Sequence, residues 1–293
     1  MEAEKKHKAG FVSIIGKPNV GKSTLMNQLV GERLSIITSK AQTTRHRIMG
    51  ILSGEDFQIV YSDTPGILKP EYELQQTMMK FVSASIEDAD IIIFVTDLYD
   101  KHDEALLKRL QSAKQPIILI LNKIDLAKGS QIEDKLAYWH EVFTPTMTLT
   151  VSALTGENVP ELFSNILENL PEHPAYFPKD ELTDKPEKFF VEEIVREKIF
   201  LNYKQEIPYS TQVVVESFQE DAKIIRIRTE IFVERRSQKG IIIGKGGAAL
   251  KKVGIEARKD LEQFFQKQVH LETFVKIADD WRKKVREIKN FGY

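Results

Sequence analysis

The chain has 293 residues, with 42 Lys and Arg against 43 Asp and Glu, a net charge of −1, and no cysteine. That length leaves room for two domains of ordinary size. The charge balance excludes bulk electrostatics as an argument for nucleic-acid binding, and the missing cysteines exclude disulfides and thiolate metal sites and fit a reducing compartment.

The N-terminus, Met1 to Lys8, is charged and has no hydrophobic signal region. No apolar run approaches the ~20 residues that a membrane-spanning helix needs. The six histidines form no i, i+4 metal pair. Phe11 to Ile15 is the first apolar run and reads as a buried strand. It turns directly through Gly16-Lys17-Pro18-Asn19-Val20-Gly21-Lys22-Ser23 into a helix-forming stretch, Leu25 to Leu29. A strand, a G-x-x-x-x-G-K-S loop and a helix make a phosphate cradle. The loop N–H groups point inward and the helix N-terminus adds partial positive charge. Lys22 is expected on the β- and γ-phosphates and Ser23 on Mg²⁺, with Gly16, Asn19, Val20, Gly21 and Thr24 completing the nucleotide-binding set.

Next comes Ala41-Gln42-Thr43-Thr44-Arg45-His46-Arg47, placed where a switch loop offers a hydroxyl to Mg²⁺ and the γ-phosphate. Thr44 is the favoured ligand, because it borders the basic stretch that begins the next element; Thr43 is the alternative. Phe57 to Ser62 reads as a strand ending in Asp63-Thr64-Pro65-Gly66. Asp63 there is the expected Mg²⁺-organising carboxylate, and Gly66 can bring its N–H to the γ-phosphate. Lys22, Thr44 and Gly66 form the expected catalytic set, and Ser23, Thr44 and Asp63 the metal set. The next residue, where a Ras-like pattern carries a water-positioning Gln, is Ile67. Slow intrinsic turnover follows. Asn19 is a candidate for holding a monovalent cation, K⁺, near the β–γ bridge.

The apolar strand Ile117 to Leu121 ends in Asn122-Lys123-Ile124-Asp125. Asp125 can accept from guanine N1–H and the 2-amino group, whereas adenine would leave the carboxylate unpaired. Met147 to Val151 ends in Ser152-Ala153-Leu154, whose backbone N–H can meet guanine O6. Four such motifs at strand ends, in this order, make a guanine-nucleotide switch domain. Pro160 to Leu170 reads as its last helix, and the proline-rich segment after it starts a linker. The expected division is residues 1–173, a linker 174–187, and a second domain 188–293.

In that second domain, Lys188 to Tyr203 has helical apolar spacing, and Thr211–Phe218 and Lys223–Val233 read as paired strands. Ile241-Ile242-Ile243-Gly244-Lys245-Gly246-Gly247 then precedes a helix from Ala248 to about Gln266. Leu250, Val253, Ala257, Leu261 and Phe264 should form its core face. Val269 to Ile277 alternates as a third strand. A glycine loop between helices with Lys245 at its tip lets a nucleic-acid backbone approach, as in the clamp of a KH domain. Arg235, Arg236, Lys239, Lys245, Lys251 and Lys252, with Ile243, Gly244, Gly246 and Gly247, are the expected RNA contacts. The tail Trp281 to Phe291 is basic and aromatic, and packing is the favoured role for its rings.

G-K-P-N-V-G-K-S, Q-T-T-R-H-R, D-T-P-G, N-K-I-D, S-A-L and the C-terminal I-I-G-K-G-G together resemble the Era family of bacterial GTPases across essentially the whole chain. The resemblance implies an α/β Ras-like P-loop GTPase domain followed by a smaller α+β type II KH domain. It implies GTP and GDP as ligands, Mg²⁺ as cofactor, and binding to the 3′ end of small-subunit ribosomal RNA during small-subunit assembly. A cytoplasmic monomer with peripheral inner-membrane contact is expected. Ala41 stands where the family pattern has Pro. Two alternatives stay open: a translation-control GTPase with a different RNA, and a membrane-associated switch with a protein partner.

Overall fold

The computed structural model describes residues 6–293; the first five residues of the charged N-terminal stretch lie outside them. Two compact units are present. The first contains the chain up to Ser35, Thr44–Lys69 and Met78–Asp184; the second contains Ile36–Thr43, Pro70–Thr77 and Lys185–Tyr293.

The first unit follows the order β1 (Lys8–Ile15), α1 (Lys22–Val30), β2 (Ile48–Ser53), β3 (Phe57–Asp63), α2 (Glu73–Glu87, whose first turn belongs to the second unit), β4 (Ile91–Asp97), α3 (Glu104–Gln111), β5 (Ile117–Asn122), α4 (Gln131–Val142), β6 (Met147–Thr150) and α5 (Val159–Asn169). Its sheet runs β2-β3-β1-β4-β5-β6, with only β2 antiparallel to its neighbour. Strands covered on both faces read as unbroken apolar runs. Thus Ile91, Ile92, Ile93 and Val95 of β4, like Leu119, Ile120 and Leu121 of β5, have no exposed surface. Strand order reverses at β1, which pairs with β3 on one side and β4 on the other. Loops leaving the C-terminal ends of strands at such a switch point form a ligand crevice. The glycine loop leaves β1 there.

The segment 174–184, expected as a linker, is bonded into the first unit. Tyr176 and Phe177 donate their N–H groups to Gln58 Oε1 at 2.7 and 2.9 Å, and Ile51 N–H donates to Leu182 O at 2.8 Å. Backbone donors that regular structure leaves orphaned are satisfied this way.

The second unit continues with α6 (Glu187–Asn202), α7 (Ile207–Ser210), β7 (Gln212–Glu220), β8 (Ile224–Val233), α8 (Arg236–Ile243), α9 (Ala248–Phe265), β9 (Gln268–Ile277) and α10 (Val285–Asn290). β7 and β8 are antiparallel, and β9 runs parallel to β8 from Ile224↔Gln268 to Val233↔Ile277. Val191, Val195 and Ile199 of α6 and Val253, Ala257 and Leu261 of α9 form a core with Ile225, Ile227 and Ile231 of β8. Phe264, expected on the core face, is 38% exposed. It stacks on Phe190 at 5.2 Å while Phe265 packs against the core, because α9 turns its last apolar pair across the edge of that face.

Candidate nucleotide and nucleic-acid sites

At the end of β1 the loop closes on its own backbone. Lys22 is buried and its Nζ donates to Lys17 O at 2.8 Å. Burial lowers the Lys22 pKa to about 8, opposed by the charges of Asp63 and Asp100. A lysine held this dry has the chemistry of a cation shaped for phosphate. Gly21 has φ +99°, and a Cβ there would stand 2.2 Å from Asn122 Nδ2. Only glycine lets the phosphate loop and the end of β5 come this close. Gly66 meets the same loop from the other side, where a Cβ would lie 2.6 Å from Pro18 Cα. Ile67 N–H donates to Gly16 O at 3.0 Å, so the D-T-P-G turn and the phosphate loop are joined by backbone.

Three oxygen-bearing side chains meet beside Lys22. Ser23 Oγ donates to Asp63 Oδ2 at 2.6 Å, and Thr44 Oγ1 lies 3.0 Å from Ser23 Oγ and 3.4 Å from Asp63 Oδ2. Asp63 is fully buried, and burial pushes its carboxyl pKa up against hydrogen bonds from Ser23 and Thr44 and the Lys22 charge, which pull it down. Its Oδ1 is buried with no hydrogen-bond partner among the described residues. A buried carboxylate with one oxygen on two hydroxyls and the other orphaned fits a hard divalent cation such as Mg²⁺. Thr43 is elsewhere: its Oγ1 is bonded to Thr38 Oγ1 at 2.6 Å and Lys40 O at 2.7 Å.

Asn122 ties the phosphate loop to the Ser152-Ala153-Leu154 loop. Its Nδ2 donates to Val20 O at 2.8 Å, and its Oδ1 accepts from Ala153 N–H at 2.9 Å. Asp125 Oδ1 accepts from Ser152 Oγ at 2.6 Å. Ser152 and Ala153 are buried, whereas Leu154 is 75% exposed. Asn19 is exposed at φ +65°, and Thr24 is half-buried in the first turn of α1.

The structure adds two supports that the motifs did not reveal. Lys123 sits at φ +64° and pairs with Asp97 at 2.8 Å. Asn27 accepts from the N–H groups of Leu34 and Ser35 at 3.1 and 3.0 Å and donates to Ser35 O at 2.8 Å, holding the chain that leaves α1. An acidic residue at the end of an apolar strand and an asparagine inside α1 are the only traces these leave in sequence.

In the second unit, α8 ends at Gly244, and the turn Lys245–Gly247 leads into α9. Tyr203 Oη donates to Ile242 O at 2.7 Å and fixes the end of α8; burial raises that phenol to about 12. Lys245, Gly246, Lys251, Lys252, Arg235 and Arg236 are exposed, Lys239, Ile243 and Gly247 half-buried. Gly246 is at φ +58° with open space where a Cβ would point. The tail behaves differently from the loop. Trp281 is fully buried, its Nε1 donates to Ser210 O at 2.9 Å, and Phe291 packs edge-on to it at 5.3 Å. Arg282 pairs with Glu234, so it is occupied within the fold.

The 50S ribosome-binding GTPase family matches residues 11–123 and the KH domain family residues 206–282. GTPase Era of Staphylococcus epidermidis is 43% identical over 291 residues, covering 98% of this chain and 97% of that protein. The chloroplastic GTPase ERA1 of Zea mays is 46% identical over 294 residues, covering 98% of this chain and 71% of that protein. Era in complex with MgGDPNP and nucleotides 1506–1542 of 16S ribosomal RNA superposes with a TM-score of 0.91 at 37% identity, covering 98% of this chain and 99% of that one. A point variant of Aquifex aeolicus Era bound to GDP and aluminium fluoride gives a TM-score of 0.90 at 37% identity, with the same coverage. With phosphate loop, buried carboxylate, guanine loops and glycine clamp all in place along a full-length match, the chain belongs to the Era family of GTPases.

Proposed function

We propose that this GTPase binds the 3′ end of small-subunit ribosomal RNA under nucleotide control and acts in assembly of the small ribosomal subunit. The carrying observation is the full-length similarity to an Era captured with both MgGDPNP and 16S ribosomal RNA nucleotides. In this reading Lys22 holds the β- and γ-phosphates, and Ser23, Thr44 and Asp63 hold Mg²⁺. Bound there, Mg²⁺ would supply charge neutralisation on the phosphate oxygens. Asp125 reads guanine through two donors, with the Ala153–Leu154 backbone at O6. Hydrolysis is attack of water on the γ-phosphorus with cleavage of its bond to the β–γ bridging oxygen, giving GDP and phosphate. Ile67 can take no proton and is packed against the apolar cluster of Val82, Ile86 and Phe94. Turnover then rests on Lys22, the Gly66 N–H and loop dipoles, and is slow. Asn19 is assigned to a K⁺ ion, and equal turnover in K⁺ and Na⁺ buffers would remove that assignment.

The RNA contacts are assigned to Arg235, Arg236, Lys239, Ile243 and the Gly244–Gly247 turn, with Lys251 and Lys252 on the following helix. The protein is placed in the cytoplasm, with membrane contact peripheral; among the described residues no helix is long and apolar enough to cross a membrane. Crosslinking in cell extract with a GTP analogue and with GDP, followed by sequencing of the bound RNA, tests the proposal. Enrichment of the 3′ end of small-subunit ribosomal RNA, stronger with the analogue, is expected. Enrichment no greater than for Gly246→Asp, or of a different RNA, would overturn it. Open space at Gly246 and the tolerance of Asp for positive φ make that variant a test of charge at the clamp.

A further inference from the structure

The chain segment before Thr44 is held by a helix that carries no nucleotide motif. Ile36–Thr43 and α6 belong to the same unit. Ile37 N–H donates to Glu197 Oε1 at 3.2 Å, and the Lys40 ammonium donates to the carbonyls of Phe200 and Tyr203 at the C-terminal end of α6, where the helix dipole favours a cation. The third tie is the most telling. Arg196 Nη2 donates to Thr43 O, while Glu193 grips the same guanidinium through Nε, at 2.7 Å to Oε1, and through Nη2. Arg196 is 1% exposed and Glu193 6%. Two donors on one carboxylate fix the plane of the guanidinium, so its remaining bond is aimed rather than loose. Burying a guanidinium is costly unless the surroundings use it. Here it is used on one backbone carbonyl, and Nη1 has no hydrogen-bond partner among the described residues.

That carbonyl is the one preceding Thr44. The atoms of a peptide unit lie in one plane, so holding Thr43 O also sets the plane of Thr44 N and Cα. From Cα the metal-ligand hydroxyl is one χ1 rotation away, and a β-branched side chain has few χ1 choices. We propose that Arg196 is a positioning residue for the Thr44 hydroxyl, acting through the Thr43–Thr44 peptide. It rests on the assignment of Thr44 to the metal and γ-phosphate. Arg196 thereby sets how strongly the site distinguishes GTP from GDP. The contribution belongs to the triphosphate complex, because only a γ-phosphate brings the Thr44 hydroxyl into use.

The test measures affinities of the full chain for GDPNP and for GDP in Mg²⁺ buffer, for the wild type, Arg196→Met, Arg196→Lys, Thr44→Ala and the Arg196→Met/Thr44→Ala double variant. Arg196→Met should lose about tenfold of GDPNP affinity, the low end for a charge-assisted hydrogen bond, with GDP affinity unchanged. Arg196→Lys should recover part of the loss. The double variant should be no worse than Thr44→Ala, since the two act in series. Equal losses for GDPNP and GDP, or additive losses in the double variant, would overturn the proposal by showing a general structural role. An unchanged GDPNP-to-GDP ratio in Arg196→Met, beside a reduced one in Thr44→Ala, would sink Arg196 alone. An unchanged ratio in Thr44→Ala would instead sink the Thr44 assignment and the proposal with it. Should Arg196→Met fail to fold by thermal melting, Glu193→Gln replaces it. That variant keeps the guanidinium but loosens its orientation, and a smaller loss of the same kind is expected; no loss overturns the proposal.

Discussion

The nucleotide site and the glycine clamp place charge in opposite ways. Asp63 has no exposed surface and Lys22 is 6% exposed, so one unit holds a carboxylate and an ammonium in a dry, pre-arranged cluster. On the other unit the cations around Gly244–Gly247 mostly stand in water. A dry charge is worth several times an exposed one, because low dielectric and the absence of reorganisation both strengthen it. A site that must sense one phosphate gains from concentrating its energy in few groups. A clamp that must follow a polyanion gains from spreading it over many. The two units should therefore respond to single substitutions on different scales.

The largest effect belongs to the buried carboxylate. Asp63→Asn keeps the size and the hydrogen-bonding oxygen but removes the charge that the metal needs. Single-turnover GTP hydrolysis should fall by about a hundredfold or more, the range seen when one pre-arranged electrostatic group is lost. A fall of less than tenfold would mean that the concentration of energy at this site is illusory.

Next in size is a pH effect that only the dry site should show. The free protein holds Lys22 with a pKa of about 8, depressed by burial. Bound phosphates favour the protonated ammonium, so nucleotide binding above that pH must take up a proton. The sign follows: affinity is full below pH 8 and declines as pH rises through it. Between pH 7 and pH 9 the protonated fraction drops about tenfold, and GDP affinity should drop with it. Calorimetry at about pH 8.5 in buffers of different ionisation enthalpy reads the proton uptake directly. Affinity flat across this range would show that Lys22 is already charged in the free protein.

The same contrast explains what could be read from the chain. Strand-end motifs are local: Gly16 to Ser23, Asp63 to Gly66 and Asn122 to Asp125 each carry their geometry in a few residues. β4 carries no such mark, because Ile91 to Val95 is a continuous apolar run with no period-2 signal and no motif attached. Thr43 and Thr44 share a neighbourhood in sequence; the end of β3, far along the chain, separates them by placing Asp63 beside Thr44. Helix α6 was legible as a helix from its apolar spacing; the Glu193–Arg196 pair on it comes from the structure. The burial of Arg196 was not legible, because its partner is the carbonyl of a residue 153 positions earlier. On the clamp, the glycines and lysines were legible, and so was the packing of Trp281, since a large aromatic among charges has few other stable places.

The smallest expected effect is the most discriminating between the two designs. Lys251 and Lys252 lie in the first turns of α9, both exposed, and Lys252 has Glu256 at 3.8 Å. An exposed ammonium meets one phosphate through water-like dielectric, so its removal costs little and acts alike on every sequence. Lys251→Ala and Lys252→Ala should each weaken RNA binding about threefold near 0.1 M salt and flatten the salt dependence by roughly 0.7 on the logarithmic slope. Neither should alter GTP turnover. Filter binding across a salt series separates this outcome from its rival. A hundredfold loss from either lysine, with the slope unchanged, would mean that the loop and α9 form a concentrated site like the one around Asp63. The clamp would then owe its grip to a built pocket, and the division between a dry sensor and a wet clamp would not hold.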